Sequence, residues 1–571
     1  MQAILFSLIF ISSPAIAQEA PPTISNSDPV VDAIYSITDE ELQVMQHLDA
    51  LTNGIGPRLS SSQNLTEACH WARDLFERFG LTDSRLEQWG SFPVGFNRRL
   101  SKGAMIMPDK LELVFNTNAW TAGTKGLIAG PAILAPTTED ELIAIKGKLN
   151  NAWIIASSNR RAPRFNSQGN EIRDRFGKMC DEEGYAGVIS PSPKSQLLRT
   201  SGNYQINFEN LPKRTNISLR RDQFTDIYNR LQEGQKVELE FDIEQSFEEG
   251  PIPLYNIIAE IPGGDLANEI IIVGGHIDSW DGAKGAQDNG TGTSTTLEAA
   301  RILRKTLNDL DLKPRRTIRF MLWSGEEQGL LGSRAYIEQH PEENDLISAV
   351  LVHDGGTNAC SGIQMTETLR PIFESAFEPI IKHTADQEDE DLRFQLLPVN
   401  RLPRGVGSDH DSYLRVGVPG FFWEQRGSTS YGYIHHTQHD TIQEVIPAYQ
   451  FASTRVIASS AWRLANTENL LPRVEQNNRS RGNRNNRQRL GVSMSENMIV
   501  ENIVKGGMAE KAKMMVGDQI ISIDGKEVNN LEELRQKLRE DKNQKEVIWT
   551  HNGKKVIGIF DWEKASVKIK D

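Results

Sequence analysis

The sequence predicts an α/β protein whose central sheet is mixed and largely parallel, with helices on its flanks. Three observations predict it. Apolar, strand-like runs around Ile271, Ile318, Ala349 and residues 419–424 alternate with segments of helical period at 293–307, 329–339, 369–383 and 447–464. Such alternation is the signature of a sheet covered by helices. Chemistry-bearing residues follow the apolar runs, which is where open α/β sheets bind ligands. The chain has 571 residues, more than one core comfortably holds, so two to four domains are expected.

The chemistry-bearing segments come in a fixed order. They are Gly-Gly-His276-Ile-Asp278, Gln-Asp288-Asn-Gly-Thr-Gly, Trp-Ser-Gly-Glu326-Glu327-Gln-Gly, Val-His-Asp354-Gly-Gly and His435-His436-Thr-Gln-His-Asp440-Thr. A pair of divalent cations needs roughly five or six nitrogen and oxygen ligands, one of them a bridging carboxylate. His276, Asp288, Glu327, Asp354 and His436 supply that set, and Glu326 stays free to accept a proton from water. An isolated His-x-Asp is usually a satisfied surface or core pair, and an adjacent Glu-Glu is usually a solvated helix face. Five such segments at the ends of apolar runs are specific where each alone is weak.

Their order, spacing and flanks resemble the M28 family of co-catalytic zinc exopeptidases, including the plasma glutamate carboxypeptidase branch. The matching motifs are His-x-Asp, Asp-Asn-Gly-x-Gly, Glu-Glu-x-Gly-Leu-x-Gly-Ser, a lone Asp after a strand, and His-Thr-x-x-Asp. The resemblance implies one zinc on His276, Asp288 and Asp354 and a second on Asp288, Glu327 and His436, so that Asp288 bridges. It implies that Glu326 is general base and then general acid, that Asp278 orients the His276 imidazole, and that the Asp288–Asn289 peptide is cis. The ligand histidine precedes Thr in the family pattern, which selects His436 over His435. His435 and His439 are then expected to line the site or its rim, and His353 to point to the opposite face and pack. Carboxylate-rich sites also accept manganese or cobalt.

Other segments extend the resemblance. Gly54-Ile-Gly-Pro-Arg58-Leu-Ser and Gln88-Trp89-Gly are similar to the opening of the carboxypeptidase branch, and residues 37–97 read as helical in period. Residues 121–248 are similar to a β-rich protease-associated domain inserted into the peptidase, with Cys180 leading through Gly184 and Gly187 into Val188-Ile189. Gly405-Val-Gly-Ser408-Asp409-His410 resembles a family element near the substrate pocket, which makes Ser408, Asp409, His410 and His435 candidate pocket residues. From Arg489 onward the chain resembles a bacterial protease-type PDZ domain. Its Leu490-Gly491-Val492 run would be the carboxylate loop for a partner's C-terminus, and a helix at 531–538 the other wall.

The expected organisation is a signal peptide at 1–17, the first part of the peptidase domain at 18–120, the insertion at 121–248 and the main catalytic domain at 249–466. An Asn/Arg-rich linker at 467–488 and the PDZ domain at 489–571 follow. The apolar amino-terminal run ends in Ala15-Ile16-Ala17, a small-x-small cleavage pattern, so export to a periplasm or to the outside is expected, with no transmembrane span. A net charge of −14 argues against nonspecific nucleic-acid binding. Three cysteines, Cys69, Cys180 and Cys360, allow at most one disulfide, and none has a zinc-thiolate spacing.

The expected function is an exported dinuclear zinc exopeptidase acting on peptide substrates, an aminopeptidase or dipeptidase. Two alternatives compete: a glutaminyl-peptide cyclase-like enzyme, which shares the fold with a single metal, and a non-catalytic peptide-binding receptor. The complete ligand set favours the peptidase.

Overall fold

The computed structural model describes residues 27–156, 171–193, 196–474, 490–495, 498–503, 507–528, 533–534, 537–538, 544–562, 564 and 566–570. The expected signal peptide, the linker from residue 475 on, and parts of the helix expected at 531–538 lie outside the described residues. The chain divides into two units, Met1–Gln476 and Asn477–Asp571.

The first unit is built on one continuous sheet. Across its catalytic half the strand order is Gln395–Pro398, Ala359–Met365, Gly420–Arg426, Ile347–Val352, Leu266–His276, Arg316–Trp323 and Glu238–Ile261. The four strands Gly420–Arg426, Ile347–Val352, Leu266–His276 and Arg316–Trp323 run parallel. Side chains alternate between faces, and both faces are buried. Ile271, Val273, Phe320, Leu322 and Leu351 enter one core, while Ile270, Ile272, Met321, Trp323, Val350 and Val352 enter the other. That double burial is why these strands read as unbroken apolar runs. The helices Thr291–Asp309 and Pro447–Ala465 contact the first face, and Leu331–Gln339 and His410–Arg415 contribute to the second.

Helix Gln63–Arg78 starts where Ser62 Oγ accepts the Leu65 N–H at 3.1 Å, a cap of the usual kind. Its apolar stripe Leu65, Ala68, Cys69, Ala72, Leu75 and Phe76 is buried. The helical reading of 37–97 fails beyond this point. Gly80 at φ +79° ends the helix, with its N–H bonded to Glu77 O at 3.0 Å and that of Leu81 to Phe76 O at 3.1 Å, a left-handed stop. Thr82–Met107 then forms a 26-residue strand, in which Phe92, Val94 and Phe96 bury one face at a spacing of two. Glu238–Ile261 forms a second long strand of 24 residues. The two long strands pair antiparallel from Thr82↔Glu260 to Met107↔Glu238.

This ribbon carries the sheet into a lobe. Ile128–Leu134, Trp153–Ile155, Gly187–Pro191, Thr215–Leu219 and Phe115–Thr117 extend it in that order. The helices Glu139–Ile145, Glu171–Glu183 and Arg221–Gln232 accompany them. The lobe has its own buried clusters, one around Trp153, Ile189 and Phe241 and one around Leu149, Phe176 and Cys180. The three cysteines are free and buried. Among the described residues no helix is long and apolar enough to cross a membrane.

The second unit contains a two-stranded pair, Val492–Met494 with Val500–Ile503, and a five-stranded sheet. The sheet is Lys526–Glu527, Gln519–Ile523, Gln544–His551, Lys554–Asp561 and Ser566–Lys570, antiparallel throughout. Leu490, Met508, Ile520, Val547, Trp549 and Phe560 form its core. Gly491 adopts φ +80°, and a Cβ there would lie 3.1 Å from Gly507 Cα, so the turn at the predicted carboxylate loop favours glycine twice over.

Candidate active site

Strand register brings the motifs together. Trp323 pairs with His276 and Val352 with Gly274, so His276, the Glu326–Glu327 loop and Asp354 all emerge at the carboxyl edge of neighbouring parallel strands. Asp288 lies in the turn before helix Thr291–Asp309, and its peptide bond to Asn289 is cis. The helix start docks closely on the sheet. Asn289 Nδ2 donates to His353 O at 2.9 Å, and a Cβ on Gly292 would stand 2.2 Å from that same oxygen.

Two clusters share Asp288. His276 Nε2 lies 3.1 Å from Asp354 Oδ1 and 3.4 Å from Asp288 Oδ1. His436 Nε2 lies 3.3 Å from Asp288 Oδ2 and 3.0 Å from Glu327 Oε2. Each Asp288 oxygen therefore serves one imidazole. His435 comes near as well, at 3.9 Å from Asp288 Oδ2, with its ring stacked on Tyr431 at 4.7 Å. Glu326 Oε2 stays 4.0 Å from His276 Nε2, outside the tight contacts. Two imidazoles and three carboxylates form the donor set of a divalent cation pair. Glu327 Oε1 is buried with no hydrogen-bond partner, a need that a cation would satisfy. The residues present fit the expected metals.

Behind the donors sits a layer that holds them. The Asp278 carbonyl is 3.0 Å from His276 Nδ1, and its carboxylate is 3.6 Å away. The same carboxylate accepts the backbone N–H groups of Glu326 and Glu327, each at 3.3 Å, and the Ser60 hydroxyl at 3.2 Å. Asp440 accepts the backbone N–H of Gln287 at 2.6 Å and of Asp288 at 3.3 Å. Arg58 is fully buried and donates to the carbonyls of Ile277, Gly285, Lys284 and Gly56 at 2.7, 2.7, 3.0 and 3.2 Å. Neither role is announced by the motifs in which Arg58 and Asp440 stand. A lone arginine in a Gly-Pro-Arg turn carries no sign that its head will be buried among main-chain carbonyls.

The electrostatics are those of charges crowded out of water. Burial opposes charge on His276, yet Asp354 and Glu326 hold its pKa well above the ordinary value. Burial opposes charge on His436 too, and Glu327 with Asp288 carries it to about 10. Burial works against the Asp288 carboxylate, but the two imidazoles hold it well below the usual range. Burial pushes Glu326 well up, against the pull of His276 and aided by Asp354 and Asp409. Burial and Asp288 lift Glu327 to about 7. Burial lowers Arg58 to about 10 although Asp440 and Asp278 favour its charge.

A cavity of about 700 Å³ opens beside the centre. Asp354 and His435 stand at it together with Ser408 and His410, while Leu402, Val406, Phe422 and Tyr431 give it apolar wall. Asp409 is not on the wall; it is fully buried, and burial lifts its carboxyl to about 7. His353 is buried away from the donors with Nδ1 3.4 Å from Cys360 Sγ, the packing role expected of it. His439 stacks on Tyr433 at 4.1 Å, at the rim.

An open, largely parallel α/β sheet bearing this donor cluster on its carboxyl edge defines a metal-dependent hydrolase. Residues 256–460 match the profile of peptidase family M28, and residues 499–548 match that of a PDZ domain. The chain is 25% identical over 478 residues to carboxypeptidase Q of Rattus norvegicus, covering 80% of this chain and 93% of that one. It is 26% identical over 446 residues to carboxypeptidase Q of Homo sapiens, covering 75% and 86%. The crystal structure of a peptidase M28 precursor from Shewanella amazonensis SB2B is similar at 25% identity and a TM-score of 0.53, covering 78% of this chain and 97% of that one. The chain carries an M28 family peptidase domain and a PDZ domain.

Proposed function

We propose that this peptidase is a dinuclear zinc exopeptidase that releases residues from peptide termini, as an aminopeptidase or dipeptidase. The observation that carries the reading is the division of Asp288, with one oxygen toward His276 and the other toward His436. In this reading His276, Asp288 and Asp354 would hold one ion, and Asp288, Glu327 and His436 would hold the other. When bound, the cations acidify the attacking water and stabilise negative charge on the scissile carbonyl oxygen. Glu326 accepts the water's proton and returns it to the leaving amine. Asp278 keeps both the imidazole of His276 and the main chain of Glu326 in register for that transfer. The cavity next to Asp354 and His435 accommodates a terminal side chain, which suits cleavage at an end of the substrate.

The remaining parts extend the same reading. The lobe at 121–248 is a protease-associated domain bordering the cleft, Leu490-Gly491-Val492 receives a partner's C-terminus, and the amino-terminal segment directs export.

Metal-loaded protein incubated with free peptides, N-acetylated peptides and dipeptides, with products identified by mass, tests the reading. Stepwise release from free-amine substrates, abolished by chelator, is expected. Absence of cleavage together with pyroglutamate formation from an amino-terminal Gln peptide would replace it with cyclisation.

A further inference from the structure

The His436 segment is fastened by a stretch more than two hundred residues earlier in the chain. Its backbone stands at φ +59°, a left-handed conformation uncommon for a residue with a side chain. The fastening comes from residues 196–202, within the inserted lobe's stretch of sequence. Thr200 N–H donates to His436 O at 2.8 Å, and Arg199 forms an antiparallel bridge with Thr437. Gln438 grips the same stretch with both ends of its amide. Its Oε1 accepts the Leu198 N–H at 2.8 Å, and its Nε2 donates to Gln196 O at 2.7 Å.

The stretch is itself backed on two sides. Asn116 Nδ2 donates to Thr200 Oγ1 at 2.6 Å, and Ala119 N–H donates to Ser201 O at 2.9 Å. On the other side the loop that follows Asp278 closes on Thr200. A Cβ on Gly282 would fall 1.6 Å from Thr200 Oγ1, so only glycine permits the approach. Asp281, its neighbour, is paired with Arg98 of the long ribbon at 2.9 Å. Thr200 thus lies where the His436 segment, the loop after Asp278 and the lobe meet.

We infer that Gln438 is a positioning residue for the half of the metal centre that contains His436, and that residues 196–202 complete that half-site. The inference rests on the dinuclear reading above. The two halves differ in how they are supported. His276 and Asp354 leave the ends of buried parallel strands, whose positions the sheet sets. His436 lies in a loop, and a loop that must hold an imidazole to within about half an ångström of its coordinating position needs bonds from elsewhere in the chain. Loss of those bonds should loosen one ion and spare the other.

The test uses the full chain, stripped with chelator and titrated with Zn²⁺ in competition with a chromophoric chelator. Wild type is expected to take two ions. Gln438→Leu, which keeps the bulk and removes both hydrogen bonds, should weaken one of them by tenfold or more and leave the other within twofold. The weakened ion should be the one lost in His436→Ala. Excess zinc should then restore kcat with KM unchanged. If Gln438→Leu fails to fold by circular dichroism, Gln438→Glu, which keeps the bond from Leu198 N–H and loses the one to Gln196 O, is expected to show the same one-sided loss. Wild-type affinity for both ions in a folded variant overturns the inference, as does equal weakening of both. A wild type that takes a single ion overturns the dinuclear reading itself, which separates the two failures.

Discussion

Asp278 Oδ1 lies 3.3 Å from the backbone nitrogen of Glu326, so the carboxylate beside the His276 imidazole also holds the main chain of the proposed base. Asp278→Ala should therefore disturb two things at once. We expect kcat and metal affinity each to fall roughly 10- to 100-fold, the range typical of residues that orient ligands. A loss confined to metal affinity, measured by chelator competition at matched occupancy, would show that Glu326 is placed by something else.

Glu326→Gln removes the proton acceptor and keeps the shape. Turnover should fall by about 10²- to 10⁴-fold, while zinc content by elemental analysis stays at the wild-type level. Zinc lost in parallel with activity would make Glu326 a ligand instead.

Arg58→Met should cost on the order of 3 kcal/mol of stability, because it strips a buried cation from four carbonyls and from the acidic groups around it. Chemical denaturation of the metal-free protein reads the effect. A change below about 0.5 kcal/mol, the level of an ordinary surface substitution, would contradict the part assigned to Arg58.

Burial lowers the His353 pKa to about 4 from its ordinary 6.5. The neutral ring is the form the fold favours, so the unfolded chain binds the proton first. Its contribution is fully present above pH 6.5 and is lost as the pH falls through 6.5 toward 4, amounting to about 3 kcal/mol in all. Denaturation curves at pH 7 and pH 5 should show wild type losing more stability than His353→Leu. Equal losses in the two proteins would remove His353 as the cause.

Val406 is 49% exposed on the cavity wall. A Trp in its place should narrow the cavity, raising KM for substrates with large terminal side chains and sparing those ending in Gly or Ala. Equal effects across a substrate panel would place the terminal side chain elsewhere.

The candidate donors could be brought together on paper because their motifs stand at the ends of strands whose double burial makes them uniformly apolar. His276, Asp354 and the Glu326–Glu327 pair could be placed on one sheet edge from that pattern alone. The ribbon was not legible. Thr82–Met107 has only short buried stretches, and its partner strand Glu238–Ile261 lies on the far side of the lobe in sequence, so no local period announces it. Arg58 and Gln438 were illegible for the same reason: their partners are main-chain atoms, and main-chain atoms have no sequence.

The ribbon also changes what a break in the chain would mean. Its paired span runs from Thr82↔Glu260 to Met107↔Glu238 and is interrupted by five register shifts. A protease that cut within the lobe would sever the covalent path between its two strands but not the backbone hydrogen bonds that join them. The two fragments would remain zipped, with Arg98 still pinned to Asp281, and would migrate as one particle until denatured. Nicked protein should thus elute with the intact chain and separate only in detergent, so intact size in a native assay is no guarantee of an uncut polypeptide.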